Sequence, residues 1–175
     1  DVFAEQAEAL INGDCDLLLV ETSQDMLEVK ATLMGIQDAF ARTGRKLPVQ
    51  VQVTLDPNGR MLLGTDIGAV LATLERMPVD VIGINCSTGP EHMRAPLVWL
   101  GEHASIPISC LPNAGLPSNV DGRAVYPLQP AEFAREMAEF VAQFGLNIVG
   151  GCCGTTPDHI QRLVRAVAAA KPRRR

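Results

Sequence analysis

Five short apolar runs, each followed by an amphipathic stretch of helical period, recur along this 175-residue chain at a spacing of about 30 residues. Leu17–Val20, Val49–Thr54, Val81–Asn85, Ile106–Leu111 and Asn147–Gly150 read as strands. Val2–Asn12, Asp25–Arg42, Asp66–Met77, a stretch from Pro90-Glu91, Pro130–Phe144 and Pro157–Ala170 read as helices. Gly13 and Gly44 lie where the first two helices should stop, and Thr65/Asp66 can cap the third. No hairpin is expected, and Pro112 to about Gln129, rich in Pro, Gly and Asn, reads as a long loop. Continuously apolar strands such as Leu17–Val20 predict burial on both faces, as in a parallel sheet covered by helices.

Two α/β architectures satisfy that pattern: an open five-stranded parallel sheet, or the last five units of a (β/α)8 TIM barrel. A complete barrel usually takes about 250 residues. On the second reading the first three units are missing, which suits a chain that opens at Asp1 directly in a helix-like segment. With 47% hydrophobic residues, residues 1–170 suffice for one domain with a real core, and Lys171–Arg175 reads as a basic tail or linker stub.

The net charge of −5 argues against a nucleic-acid-binding surface, since phosphates are gripped by Lys and Arg. No apolar run approaches the roughly 20 residues needed to span a bilayer, and none reads as a signal peptide. Five cysteines, an odd number, suit a reducing cytoplasm better than a disulfide scaffold.

In both architectures working residues gather where strands end and loops begin. Glu21, Thr54, Cys86, Asn113, Cys152 and Cys153 all lie at or just past such ends, whereas Cys15 precedes its strand on the opposite rim. Cys152 and Cys153 stand inside Gly150-Gly151-Cys152-Cys153-Gly154. Adjacent cysteines are poor disulfide partners, because a bridge needs Cα atoms about 4.4–6.8 Å apart with converging side chains. A lone buried cysteine is usually a small hydrophobe. Three on one rim, two of them flanked by glycines that let the backbone turn sharply, instead predict a metal site of Cys86, Cys152 and Cys153. Zinc is the expected ion, with a fourth position open. Three thiolates donate too strongly to favour a sharp Lewis acid or an acidified water. A substrate thiol is the better fit, deprotonated yet still nucleophilic.

Glu21, next to Leu17–Val20, reads either as a solvated carboxylate or as a contact for a substrate ammonium group. Ser87 and Thr88 lead into a helix N-terminus, where backbone amides favour an anion such as a substrate carboxylate. Asn113 reads as a turn residue or as a polar contact near the metal. Cys15 reads as structural, and Cys110 lacks a partner motif. His159 suits a surface or packing role, and His92 and His103 have no metal-ligand spacing.

Asn147–Ile160, with its Gly-Gly-Cys-Cys-Gly-Thr-Thr-Pro core, and Gly83–Pro90 resemble the homocysteine-binding barrel of the homocysteine S-methyltransferase family. Pro112-Asn113-Ala114-Gly115-Leu116-Pro117 is most similar to the cobalamin-dependent methionine synthases rather than the betaine- or S-methylmethionine-dependent members. The resemblance runs from about residue 2 to 170. It implies zinc on Cys86, Cys152 and Cys153, homocysteine as the thiol, Glu21 near its amino group, and Asn113 near the zinc or in its fourth site. It further implies methylcobalamin as donor, with cobalamin- and folate-binding modules as partners. No catalytic side chain is expected beyond the zinc site. The family's first three barrel strands, including an acidic substrate contact, have no counterpart in this sequence. Two other readings follow: methyl transfer from a small sulfonium donor without cobalamin, or an inactive fragment that binds metal or pairs with another chain.

Overall fold

The computed structural model describes residues 1–170; the basic tail at 171–175 lies outside the described residues. The chain runs α1 (Val2–Asn12), β1 (Leu18–Ser23), α2 (Met26–Thr43), β2 (Val49–Val53), α3 (Ile67–Leu74), β3 (Val81–Asn85), α4 (Pro90–His103) and β4 (Ile108–Leu111). It continues through β5 (Ser118–Val120), β6 (Arg123–Val125), α5 (Pro130–Phe144), β7 (Ile148–Val149) and α6 (Pro157–Ala168). Helix ends follow local chemistry. Asp25 and Asp66 accept the Leu27 and Ala69 amides at the starts of α2 and α3, and Gly44 ends α2 in the left-handed region.

The main sheet has the order β1-β2-β3-β4-β7, and every pair is parallel. Each strand therefore lies beside its predecessor in the βα series. A doubly wound sheet reverses direction at a switch point; a barrel does not. The order is that of five consecutive barrel units.

Strand alternation separates two chemically different faces. Val49, Val51, Val53, Ile82, Ile84, Ile108 and Cys110 form one core with Leu33, Leu71, Leu97, Leu100, Phe133, Met137 and Phe140 from the helices. The opposite face carries Gln50, Gln52, Gly83, Asn85 and Ser109, with Gln52 Nε2 donating to Ser109 Oγ at 3.0 Å. At Gly83 a Cβ would collide with Ser109 of the neighbouring strand, so β3 and β4 come together here without a side chain between them.

Two sequence expectations are corrected. β1 is not buried on both faces: Leu18 and Val20 are in the core, but Leu17 and Leu19 are 42% and 40% exposed, because β1 is an edge strand. The long loop does contain a hairpin. β5 and β6 pair antiparallel across Asp121-Gly122, both at positive φ, as a two-residue hairpin turn requires. The Asp-Gly signal was present, but its flanking triplets are too short to show alternation. Among the described residues no helix is long and apolar enough to cross a membrane.

Candidate metal centre

The cluster is built at the C-terminal ends of β3, β4 and β7. Immediately after β3, Cys86 and Ser87 both take positive φ (61° and 63°), a conformation costing non-glycine residues about 1–3 kcal/mol each. The surroundings hold it: the Cys86 N–H donates to the Leu111 carbonyl at 3.2 Å, and the Thr88 N–H turns back to the Cys86 carbonyl at 2.7 Å. After β7, the Cys152 N–H donates to the Pro112 carbonyl (2.8 Å), while Thr155 closes the turn through its N–H and hydroxyl onto the Cys152 carbonyl. Gly151 and Gly154 admit this path. A Cβ on Gly151 would collide with Thr155, and Gly154 has φ 77° with the Tyr126 ring against its Cα.

The result places Cys86 Sγ 3.8 Å from Cys153 Sγ, and Cys153 Sγ 4.0 Å from Cys152 Sγ, with all three sulfurs within 4.8 Å of one another. Tetrahedral thiolates bound at 2.3 Å stand about 3.8 Å apart. The three sulfurs thus fit one zinc-sized ion with small side-chain adjustment. Cys86 and Cys152 are half-buried and Cys153 is exposed. Burial, then the neighbouring Cys86 thiol, pushes the Cys152 thiol up to about 12. Without a cation, burial and the Cys86 thiol disfavour the Cys152 thiolate; a divalent ion inverts that balance. Cys110 stays apart, fully buried against Met93 Sδ at 3.7 Å, and burial raises its thiol. Cys15 also lies outside the cluster.

Asn113, 2% exposed, joins the two cysteine loops. Its Oδ1 accepts the Cys153 N–H at 3.0 Å, and its own N–H donates to the Thr88 carbonyl at 3.0 Å. Gly89 and Gly115 touch backbone to backbone in the same place, with no room for a Cβ on Gly89. Of the anion-binding pair expected from sequence, Thr88 is buried and its amide is already committed to Cys86. The expectation of a free Thr88 amide is therefore corrected; Ser87 remains half-exposed beside Cys86.

Glu21 is exposed within β1 and lines a groove of about 300 Å³ with Phe3, Leu10 and Leu19 at the strand's open edge. The next residue, Thr22, is at φ 59° where the β1–β2 register shifts. Buried Asn85 fixes that bulge: its Oδ1 accepts the Thr22 N–H and its Nδ2 donates to Thr22 Oγ1, both at 2.9 Å. Thr54 Oγ1 donates to the Asn85 carbonyl at 3.0 Å. The residue preceding Cys86 is thus also the anchor of the Glu21–Thr22 segment.

Sequence reasoning missed Asn85 and Tyr126. Asn85 was detectable as a polar residue ending an apolar strand. Nothing local marked Tyr126, whose phenol is raised above its ordinary range by burial and then by Cys153. His159 has the packing role expected of it. Its Nδ1 accepts the Thr156 N–H at 3.2 Å, which leaves Nε2 to donate to the Leu128 carbonyl at 3.0 Å.

Comparison with known proteins agrees with this architecture. The family described as homocysteine S-methyltransferase matches residues 1–167. A methionine synthase of Mycobacterium leprae is 51% identical over 96% of this chain, and one of Mycobacterium tuberculosis is 49% identical over 98%. The chain spans 14% of the length of each of these curated relatives. Among solved structures, the oxidized form of the homocysteine methyltransferase MmuM from Escherichia coli superposes with a TM-score of 0.65 at 25% identity, covering 93% of this chain and 52% of that one. Its metallated form gives 0.62 at 25% identity, covering 91% and 51%.

Proposed function

The chain belongs to the homocysteine S-methyltransferase family, and from that premise we propose that residues 1–170 are the metal-binding part of a homocysteine-binding barrel in a methionine-forming methyltransferase. The observation that carries the reading is the spacing of the Cys86, Cys152 and Cys153 sulfurs, which suits tetrahedral zinc with one position left for substrate. When bound, zinc would supply a centre that lowers the pKa of a thiol while three thiolate ligands keep that sulfur nucleophilic.

The chain's own residues bind and orient. Glu21 receives the substrate ammonium group, and Ser87, half-exposed beside Cys86, receives its carboxylate. Asn113 holds the Cys153 loop at the correct distance from Cys86. The reaction forms one S–CH3 bond, breaks the donor–methyl bond and releases the thiol proton. The donor is methylcobalamin carried on another module, with a folate-binding module completing the set of partners. Identity of about 50% to two methionine synthases and the Asn113-Ala114-Gly115-Leu116-Pro117 loop support that choice. Five free thiols suit the reducing conditions of a cytoplasm.

Metal analysis of the wild-type chain is expected to give about one zinc per chain, lost in Cys152→Ala. Full zinc retention in that variant would overturn the ligand assignment. Supplying the full-length protein with methylcobalamin or with a small sulfonium donor decides the donor; turnover with the sulfonium alone would overturn the cobalamin reading.

A further inference from the structure

His159, 5% exposed in the first turn of α6, uses both of its ring nitrogens. Nδ1 accepts the Thr156 N–H at 3.2 Å, so Nε2 carries the proton and donates to the Leu128 carbonyl at 3.0 Å. Phe133 of α5, fully buried, meets the imidazole edge to face, with centroids 5.5 Å apart and planes at 82°. Leu128 is held through both of its backbone polar groups, because its N–H donates to the Ala114 carbonyl at 3.0 Å. Ala114 in turn donates its N–H to the Cys153 carbonyl at 2.9 Å. The bonds close a circuit, from Cys153 to Ala114, to Leu128, to His159 and back to Thr156 in the cysteine turn.

Packing alone has no need of that circuit. Leu128 lies at the end of the excursion that leaves β4 and carries the β5–β6 hairpin, and every residue of both hairpin strands is exposed. The hairpin therefore buries little surface that would bring the chain back onto Ala114, and the His159 bond fixes where it returns. On the reading of Cys86, Cys152 and Cys153 as a metal site, we propose that His159 is a positioning residue of that site: it holds Leu128 on Ala114, and through Ala114 it holds the Cys153 carbonyl. Cys153 is the most exposed of the three cysteines, so its backbone, more than side-chain packing, aims its sulfur. Asn113 Oδ1 fixes the Cys153 N–H at 3.0 Å, and the His159 circuit fixes the other backbone polar group of the same residue. With both held, the Cα–Cβ direction is set before the ion arrives. Preorganisation of this kind raises affinity, because less of the chain is ordered on binding.

The test compares His159→Asn with His159→Gln in the full-length protein, reading zinc affinity by chelator competition and the ligand-field bands of the cobalt(II)-substituted protein. Asn sets its amide oxygen near the place of Nδ1 and still accepts the Thr156 N–H, but it does not reach Leu128. Gln sets its amide nitrogen near the place of Nε2 and keeps the Leu128 bond, but gives up the one to Thr156. Both lose the ring on Phe133, so both should unfold at a lower temperature. Only His159→Asn is expected to bind zinc about tenfold more weakly, the low end for loss of a residue that orients a ligand, and to shift the cobalt bands. Equal affinity and equal spectra in the two variants, or the greater loss in His159→Gln, overturn the proposal, since packing or the helix start would then account for the residue. Should His159→Asn not fold, amide hydrogen exchange in the wild-type protein decides. The Ala114 and Leu128 amides should be protected together and gain protection when zinc binds; a Leu128 amide exchanging as fast as those of the exposed hairpin overturns the brace. A wild-type protein that takes up neither zinc nor cobalt overturns the metal reading itself, and the proposal with it.

Discussion

Asn113 Oδ1 accepts the backbone N–H of Cys153 at 3.0 Å, so the loop after β4 holds in place the cysteine turn after β7. The same residue donates its N–H to Thr88, two residues past Cys86. One buried asparagine therefore sets the separation of two proposed ligands that lie 67 positions apart in sequence.

Replacing Asn113 with Ala should weaken zinc binding by roughly 10–100-fold, the usual effect of losing a residue that orients a ligand. Stability should fall by about 1 kcal/mol, because the part-buried bond between the Cys153 amide and Asn113 is lost. Asn113→Asp retains an acceptor oxygen and should recover most of the affinity. Chelator competition and thermal unfolding measure both effects.

Zinc uptake at pH 7 should release protons, that of the Cys152 thiol among them, because a thiol must ionise to bind metal. Calorimetry in two buffers of different ionisation enthalpy counts them. Affinity should therefore fall as pH falls. The metal-free fold has the opposite dependence. With the Cys152 thiol raised from 9.0 to about 12, folded and unfolded chains are both protonated below about 9. Between 9.0 and about 12 the unfolded chain ionises first, so stability drops as pH rises through that window. A denaturation series across it should show the loss, and bound zinc should abolish the Cys152 part.

Asn85→Ala removes both bonds to Thr22 and frees the bulge that carries Glu21. The expected result in the full-length protein is a raised KM for homocysteine with zinc content unchanged. Steady-state kinetics and metal analysis on one preparation check this. An unaltered KM would remove the argument for Glu21 as the ammonium contact.

The described sheet leaves β1 without a neighbour on its outer edge, with Leu17 and Leu19 exposed beside it. Unpaired strand edges template association. The 175-residue chain prepared alone should self-associate, and light scattering should report a mass above that of one chain. A stable monomer would contradict this expectation.

The sequence by itself determined the βα series, most helix limits and the rim on which Cys86, Cys152 and Cys153 lie. Strand and helix periods, caps and glycine stops are local properties, and a parallel βα order converts strand ends into a shared rim whatever the details of packing. The Gly-Gly-Cys-Cys-Gly run also stated its own geometry, since two adjacent thiols between glycines have few other uses. Tertiary structure alone decided the sulfur separations, the commitment of the Thr88 amide, the anchoring of Glu21–Thr22 by Asn85, and the packing of the Tyr126 ring against Gly154. Each depends on contacts between segments tens of residues apart, whose register and side-chain direction no local pattern encodes. The exposure of Leu19 belongs with them: an apolar run records that a strand prefers burial, but only the sheet order shows which strand stands at the edge.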